Sequence, residues 1–326
     1  MKYTNKHNLS LLLACWLIDD DYSNGTNLYP NKELISVTSL LRSTRQVVLQ
    51  KRLDISTLKR DVSDNVSLRI GHAIHDSIEK TWKHKFKHIL KKLEYPPHIY
   101  ENIVINPTEP TNEHEISIYL EQRYFKELDG VMISGQVDQI FDGTLSDVKS
   151  TSVWSYLSGN NNEKFKQQLS LYRWLAPHII KNDVAYINYV FTGWESFKAE
   201  ADPKYPQSRA IAVPVVLYSL EEIEDILKQK LKKIKEESVK DQIDMSRCSD
   251  EELWRDSPKY KYYSDPTKID GKSTKNFNSY KEANEHLSVK GKGIVKIVEG
   301  IPKACKFCNV STICEQRKEY FNDDGL

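Results

Sequence analysis

The dipeptides Asp129-Gly130 and Asp142-Gly143 constrain the fold of this chain more than any other feature. An Asp-Gly pair takes the positive φ that a two-residue hairpin turn demands. Each turn lies between stretches that read as strands. Ile116, Ile118 and Leu120 alternate before the first, Val131 to Phe141 run between the two, and Thr144 to Lys149 follow the second. A three-stranded antiparallel meander is expected.

Helical and strand patterns surround it. Residues 67–93 predict a helix, with Ile74, Ile78 and Trp82 at four-residue steps and a stop at Pro96-Pro97. Residues 162–176 read as a helix, and 184–191 and 210–217 as strands. Ser219 and Glu222 form a capping box that opens a helix carrying Ile223, Leu227, Leu231 and Ile234. Beyond Val239 the pattern is polar and irregular up to a cysteine-bearing end. This order predicts an α/β (α+β) fold with a central mixed sheet flanked by helices. A domain over 1–245 and a C-terminal appendage over 246–326 are expected, and 326 residues suffice for both.

With 39% hydrophobic and 29% charged residues, the composition is that of a soluble globular protein. A net charge of +1 means that any nucleic-acid surface must arise from local segregation of charge. The apolar run Leu9 to Ile18 follows Lys2 and Lys6 and ends in Asp19-Asp20-Asp21. It has no small-residue cleavage site and is too short to span a bilayer. A buried N-terminal helix, with Cys15 as core packing, is therefore expected, in a cytoplasmic protein. In that reducing compartment, five cysteines with three clustered point to a metal or cluster site more than to disulfides.

The chemistry concentrates at Gly135-Gln136-Val137-Asp138 and Asp147-Val148-Lys149. The turn at Asp142-Gly143 folds the third strand back beside the second, so Asp138 and Asp147 can converge. Val148 then points to the opposite face and Lys149 returns to that of Asp147. Close carboxylates repel and invite a divalent cation. A neighbouring lysine can orient a water or stabilise charge developing on a phosphate.

Three short motifs in order carry a resemblance. Gly71-His72-Ala73-Ile74-His75 resembles the Gly-x-x-x-His helix of RecB-like exonucleases of the PD-(D/E)XK nuclease superfamily. Gly135-x-x-Asp138 with Asp147-Val148-Lys149 resembles their Asp…(Asp/Glu)-x-Lys core. Gln168-Leu169-Ser170-Leu171-Tyr172 resembles their Gln-x-x-x-Tyr helix. The likeness spans roughly residues 35–240 and implies a restriction-endonuclease-like core. It also implies that His75, Asp138, Asp147 and the Val148 main-chain carbonyl hold Mg2+ or Mn2+, and that Lys149 assists the attacking water. Gln168 and Tyr172 would position Lys149 or the phosphate. His72 is expected on the surface, and Glu79 either supports His75 or is solvated.

Ile35 to Arg45 is similar to a segment of iron–sulfur members of this superfamily, including the CRISPR adaptation nucleases, where the first cluster cysteine lies. This chain has Ser43 there. Its Cys305-x-x-Cys308 and Cys314 match the other three ligands, and Cys248 is the better substitute for the fourth. Four such thiolates suit Zn2+ or a 4Fe–4S cluster.

Two lysine groups, from Lys80 to Lys92 and from Lys228 to Lys235, could track a phosphate backbone, although the second reads as the wet face of its helix. Trp82, Trp154 or Tyr156 could stack on bases. The resemblance thus implies a phage-type, metal-dependent DNA exonuclease or end-processing enzyme, working in the host cytoplasm if phage-encoded. The rival is an inactive DNA-binding or scaffold protein of the same fold. No Walker-type loop is present, so any helicase or recombination protein would be a separate partner.

Overall fold

The computed structural model describes residues 1–19, 26–109 and 111–321; Asp20 and Asp21 of the acidic run lie outside them. The chain divides into two compact units, one of residues 1–41 and 54–232, the other of 42–53 and 233–326. The cysteine-bearing unit thus begins at residue 233, earlier than 246, and takes in a helix from near the N-terminus.

Among the described residues of the first unit, seven strands form one mixed sheet: β1 (Leu34–Ser36), β2 (Ile103–Ile105), β3 (Ile116–Leu128), β4 (Val131–Phe141), β5 (Thr144–Ser152), β6 (Val184–Thr192) and β7 (Ala210–Val216). The order is β2-β3-β4-β5-β6-β7, with β1 also paired to β4. The meander is present, and both turns have the expected geometry, with φ of 51° and 80° at Asp129 and Gly130 and 44° and 80° at Asp142 and Gly143. β5 pairs parallel to β6, so antiparallel and parallel ladders meet at β5.

One edge of β4 is shared by two partners. Its start, at 132–134, pairs with β1, and its end, at 139–141, pairs with β5. Residues 135–138 have no ladder partner on that edge. The gap falls on the Gly135-x-x-Asp138 motif.

Helices cover the sheet. α2 (Val66–Lys92) lays Trp82, Phe86 and Leu90 on a cluster of Tyr100, Ile103, Ile118 and Leu120. Trp82 also stacks on Phe86 and is half-buried. The short α3 (Val153–Ser158) follows β5, and α4 (Asn162–Leu175) buries Leu169, Leu171, Trp174 and Leu175. α5 (Leu220–Ser238) opens with the expected reciprocal Ser219–Glu222 cap, and Ile223, Leu227, Leu231 and Ile234 are buried.

The N-terminal helix departs from expectation. In α1 (Leu11–Ile18) only Leu17 is buried, Leu12 is 86% exposed, and Cys15 is exposed rather than packed in a core. An apolar run specifies that something could cover it, not that something does. Among the described residues no helix is long and apolar enough to cross a membrane.

The second unit also departs from expectation. The stretch after Val239 holds a three-stranded antiparallel sheet of β8 (Lys259–Tyr263), β9 (Lys275–Phe277) and β10 (Ile294–Val298), with α6 (Tyr280–Lys290) against it. Tyr262, Tyr263 and Ala283 are buried there. With strands of three to five residues there was too little alternation to read. The helix Thr44–Arg52 is tied into this unit by Arg45, whose Nη1 donates to the carbonyls of Gln242 (3.0 Å) and Met245 (3.4 Å), and by Gln46, whose Nε2 donates to Asn309 Oδ1 (2.7 Å).

Candidate functional site

The gap in the β4 edge is where the site forms. Past the Gln139–Ser146 pair, β4 and β5 part, and the Asp138 carboxylate takes the place of a ladder carbonyl: Oδ2 accepts the Val148 N–H at 2.9 Å. From α2, His75 Nδ1 lies 3.5 Å from the same oxygen and 3.1 Å from Glu121 Oε1. One ligand atom from each of His75, Glu121 and Asp138 lies within 4.8 Å of the other two. Glu79, Leu120 and Val148 help line the cavity between them, which measures about 10 Å³. That is room for one water or one bare cation.

Glu121 was not expected. It sits in the middle of β3 with φ of 51°, a left-handed conformation that is strained for a residue with a side chain. It is the one position between 118 and 128 without a ladder partner in β4. Leu120 and Glu121 therefore both line the His75 cavity, although consecutive strand residues normally face opposite ways. Gln136 Nε2 donates to Glu121 Oε2 at 2.9 Å and is held in turn by Arg123 (2.8 Å). The signal was available by counting: a turn that pairs Leu128 with Val131 sets residue 121 opposite 138.

Asp147 lies beside this group rather than in it. It is 2% exposed, with Lys149 Nζ 2.6 Å from Oδ2, while Oδ1 is buried without a partner. Burial, reinforced by the Asp147 charge, pushes the Asp138 carboxyl up to about 7 against the pull of His75 and Lys149. The hydrogen bond to Glu121 and the nearby aspartates outweigh burial and raise His75 to about 9. Burial opposes the charge on Lys149, but Asp147 and Asp138 raise its pKa and keep it protonated. Clustered carboxylates, an imidazole, a carboxylate oxygen with no partner and a cation-sized space fit a divalent metal.

The remaining predicted residues fall into place unevenly. Gln168 Nε2 donates to Tyr172 Oη at 2.9 Å, both side chains buried. Tyr172 also explains Gly135, where a Cβ would stand 2.9 Å from Tyr172 Cε1 and 2.7 Å from Leu175 Cδ1. Glycine at 135 is needed for α4 to close on β4. At Gly71 a Cβ would meet only Ser150 Oγ, at an ordinary 3.7 Å, so close approach is not what glycine provides there. His72 is turned to Arg69 (3.3 Å), and Glu79 pairs with Lys83 (2.6 Å). Trp154 is exposed, whereas Tyr156 packs on Tyr189 and Phe191.

In the second unit Cys305 and Cys314 are buried and Cys248 and Cys308 half-buried. Burial raises Cys248, Cys305 and Cys308, and these three respond to one another's charge or to that of Cys314, so the four lie in one neighbourhood. Among the described residues no three of the sulfurs are within 4.8 Å of one another. A single zinc ion bound at about 2.3 Å would draw them closer than that. Cys248 Sγ donates to Ser43 Oγ at 3.3 Å, which places it beside the residue standing at the expected first-cysteine position.

No family model matches this chain, and no curated protein matches it. A solved structure described as the crystal structure of SSO0001 is similar over 68% of this chain and 84% of that one. The sequence identity is 16% and the TM-score 0.38.

Proposed function

We propose that this chain is a divalent-metal-dependent DNA nuclease, an exonuclease or end-processing enzyme hydrolysing phosphodiester bonds. The observation that carries this reading is the convergence of His75, Glu121 and Asp138 on one small cavity next to the buried Asp147–Lys149 pair. His75, Glu121 and Asp138 would hold Mg2+ or Mn2+, with Asp147 Oδ1 available beside them. When bound, the metal supplies Lewis-acid stabilisation of phosphate charge and acidifies a water. Asp138 spans the gap between β4 and β5 and fixes Val148. Asp147 keeps Lys149 charged and in place, where its ammonium can meet negative charge developing on a phosphate oxygen. Gln136 and Arg123 hold Glu121 from behind. The cysteine group, Cys248, Cys305, Cys308 and Cys314, would hold a metal or iron–sulfur centre that braces the second unit.

The test is digestion of end-labelled single- and double-stranded DNA with Mg2+, Mn2+ or chelator, using wild type, Asp138→Asn, Asp147→Asn and Lys149→Ala. Metal-dependent cleavage lost in the aspartate variants is expected, with Lys149→Ala reducing turnover more than DNA binding. DNA binding without cleavage under every condition would favour the inactive scaffold. Undiminished cleavage in both aspartate variants would overturn the site.

A further inference from the structure

The four cysteines have a companion that a set of neutral thiols would not need. Arg317 is 7% exposed, its Nε is buried without a partner, and no carboxylate pairs with it among the described residues. A guanidinium is always charged, so burying it with a donor unsatisfied is unfavourable. Its ring contact with Phe321, at 5.4 Å, is no substitute for a counter-charge.

The placement of Arg317 is not incidental. Its main-chain N–H donates to the Cys314 carbonyl at 3.2 Å, which roots it in the turn after the last cysteine, and its charge reaches Cys305 and Cys308. The preceding residue, Gln316, is equally buried and grips Cys248: Oε1 accepts the Cys248 N–H at 2.8 Å and Nε2 donates to its carbonyl at 3.2 Å. Two consecutive buried side chains therefore join Cys248 to the Cys314 turn and set a buried cation beside the thiols, where Arg42 adds a second positive charge near Cys308. Ser43 Oγ, now an acceptor for Cys248 Sγ, can equally donate to a thiolate.

Among the described residues no carboxylate faces Arg317, and protonated thiols offer it no charge. Four thiolates on a metal or iron–sulfur centre do, because each loses a proton on ligation and their combined charge leaves such a centre anionic. We infer that Arg317 is the built-in counter-cation of an anionic metal–thiolate centre held by Cys248, Cys305, Cys308 and Cys314. This rests on the cysteine-centre part of the reading above and is independent of the nuclease part.

The experiment compares full-length wild type, Arg317→Lys and Arg317→Gln, purified anaerobically, for metal and sulfide content, rate of metal release to a chelator, and thermal midpoint with and without the centre. Arg317→Gln is expected to release the centre at least about tenfold faster, one charge-assisted contact's worth, and Arg317→Lys to fall nearer wild type. Emptied of metal, Arg317→Gln should melt no lower than empty wild type, because the uncompensated charge is gone; loaded, it should melt lower. An arginine with a merely structural role would lower both midpoints, and that result overturns the inference. So does release at the wild-type rate from both variants, which would leave the centre standing. Wild type without metal or sulfide would remove the centre itself.

Discussion

Asp138 Oδ2 stands 2.9 Å from the main-chain nitrogen of Val148 and accepts its N–H, at the point where β4 and β5 have ceased to pair. The same oxygen faces His75 Nδ1 at 3.5 Å. One carboxylate thus both closes the sheet and supplies the candidate metal donor. The two roles can be separated. Asp138→Asn retains an acceptor for Val148 and should fold normally while losing metal affinity. Asp138→Ala also strands a buried N–H and should be less stable than Asp138→Asn by roughly 1–3 kcal/mol. Chemical denaturation of the two variants checks the difference; equal stabilities would mean that the bond to Val148 contributes nothing.

Glu121 holds a strained backbone in exchange for its position. Glycine relieves the left-handed conformation and alanine does not, so Glu121→Gly should be more stable than Glu121→Ala by about 1–2 kcal/mol. Both should lose Mn2+ binding by calorimetry. Gln136→Ala removes the hydrogen bond to Glu121 but leaves its carboxylate, now free to move, and a drop in metal affinity of about 10–100-fold is expected. Unaltered affinity in Gln136→Ala would show that Glu121 needs no support.

Proton linkage gives the metal-free protein a definite pH dependence. Asp138 rises from its ordinary 3.8 to about 7 and His75 from 6.5 to about 9. A group raised by folding stabilises the fold below its unfolded pKa, and that contribution is lost as pH climbs through the folded value. The Asp138 share should disappear between 3.8 and about 7, and the His75 share between 6.5 and about 9. A metal displaces these protons, so the rise in thermal midpoint on adding Mn2+ should grow with pH over this range, with protons released on binding. A metal increment independent of pH between 6.5 and 9 would contradict the assignment of His75 and Asp138 as ligands.

Two glycines of the sequence motifs should behave differently. Gly135→Ala drives a Cβ into Tyr172 and Leu175 and should destabilise by ~1–3 kcal/mol. Gly71→Ala makes only an ordinary contact with Ser150 Oγ in a helix, where alanine is favoured by about 1 kcal/mol. Thermal unfolding of the pair decides; a tolerated Gly135→Ala would mean that α4 is not closely seated on β4.

The sequence by itself determined the meander, because Asp-Gly turns and strand alternation act within a few residues. It likewise placed Asp138 and Asp147 on neighbouring strands of one hairpin, because turn length fixes the register of β4 and β5. The helices carrying His75 and Gln168 and the capped helix after Ser219 were legible for the same local reason, whereas the Gln168–Tyr172 pair was singled out by resemblance. What lay beyond local rules was decided by tertiary structure. Glu121 joined the site because a distorted backbone, held by Gln136 across the ladder, overrides alternation. The apolar α1 lies exposed because hydrophobicity does not specify a partner. Gly135 proved necessary through the rings of another helix. Cys248 was brought to its fellows by Gln316, which is 68 residues away along the chain, and contacts at such separation are set by packing, which no local pattern encodes.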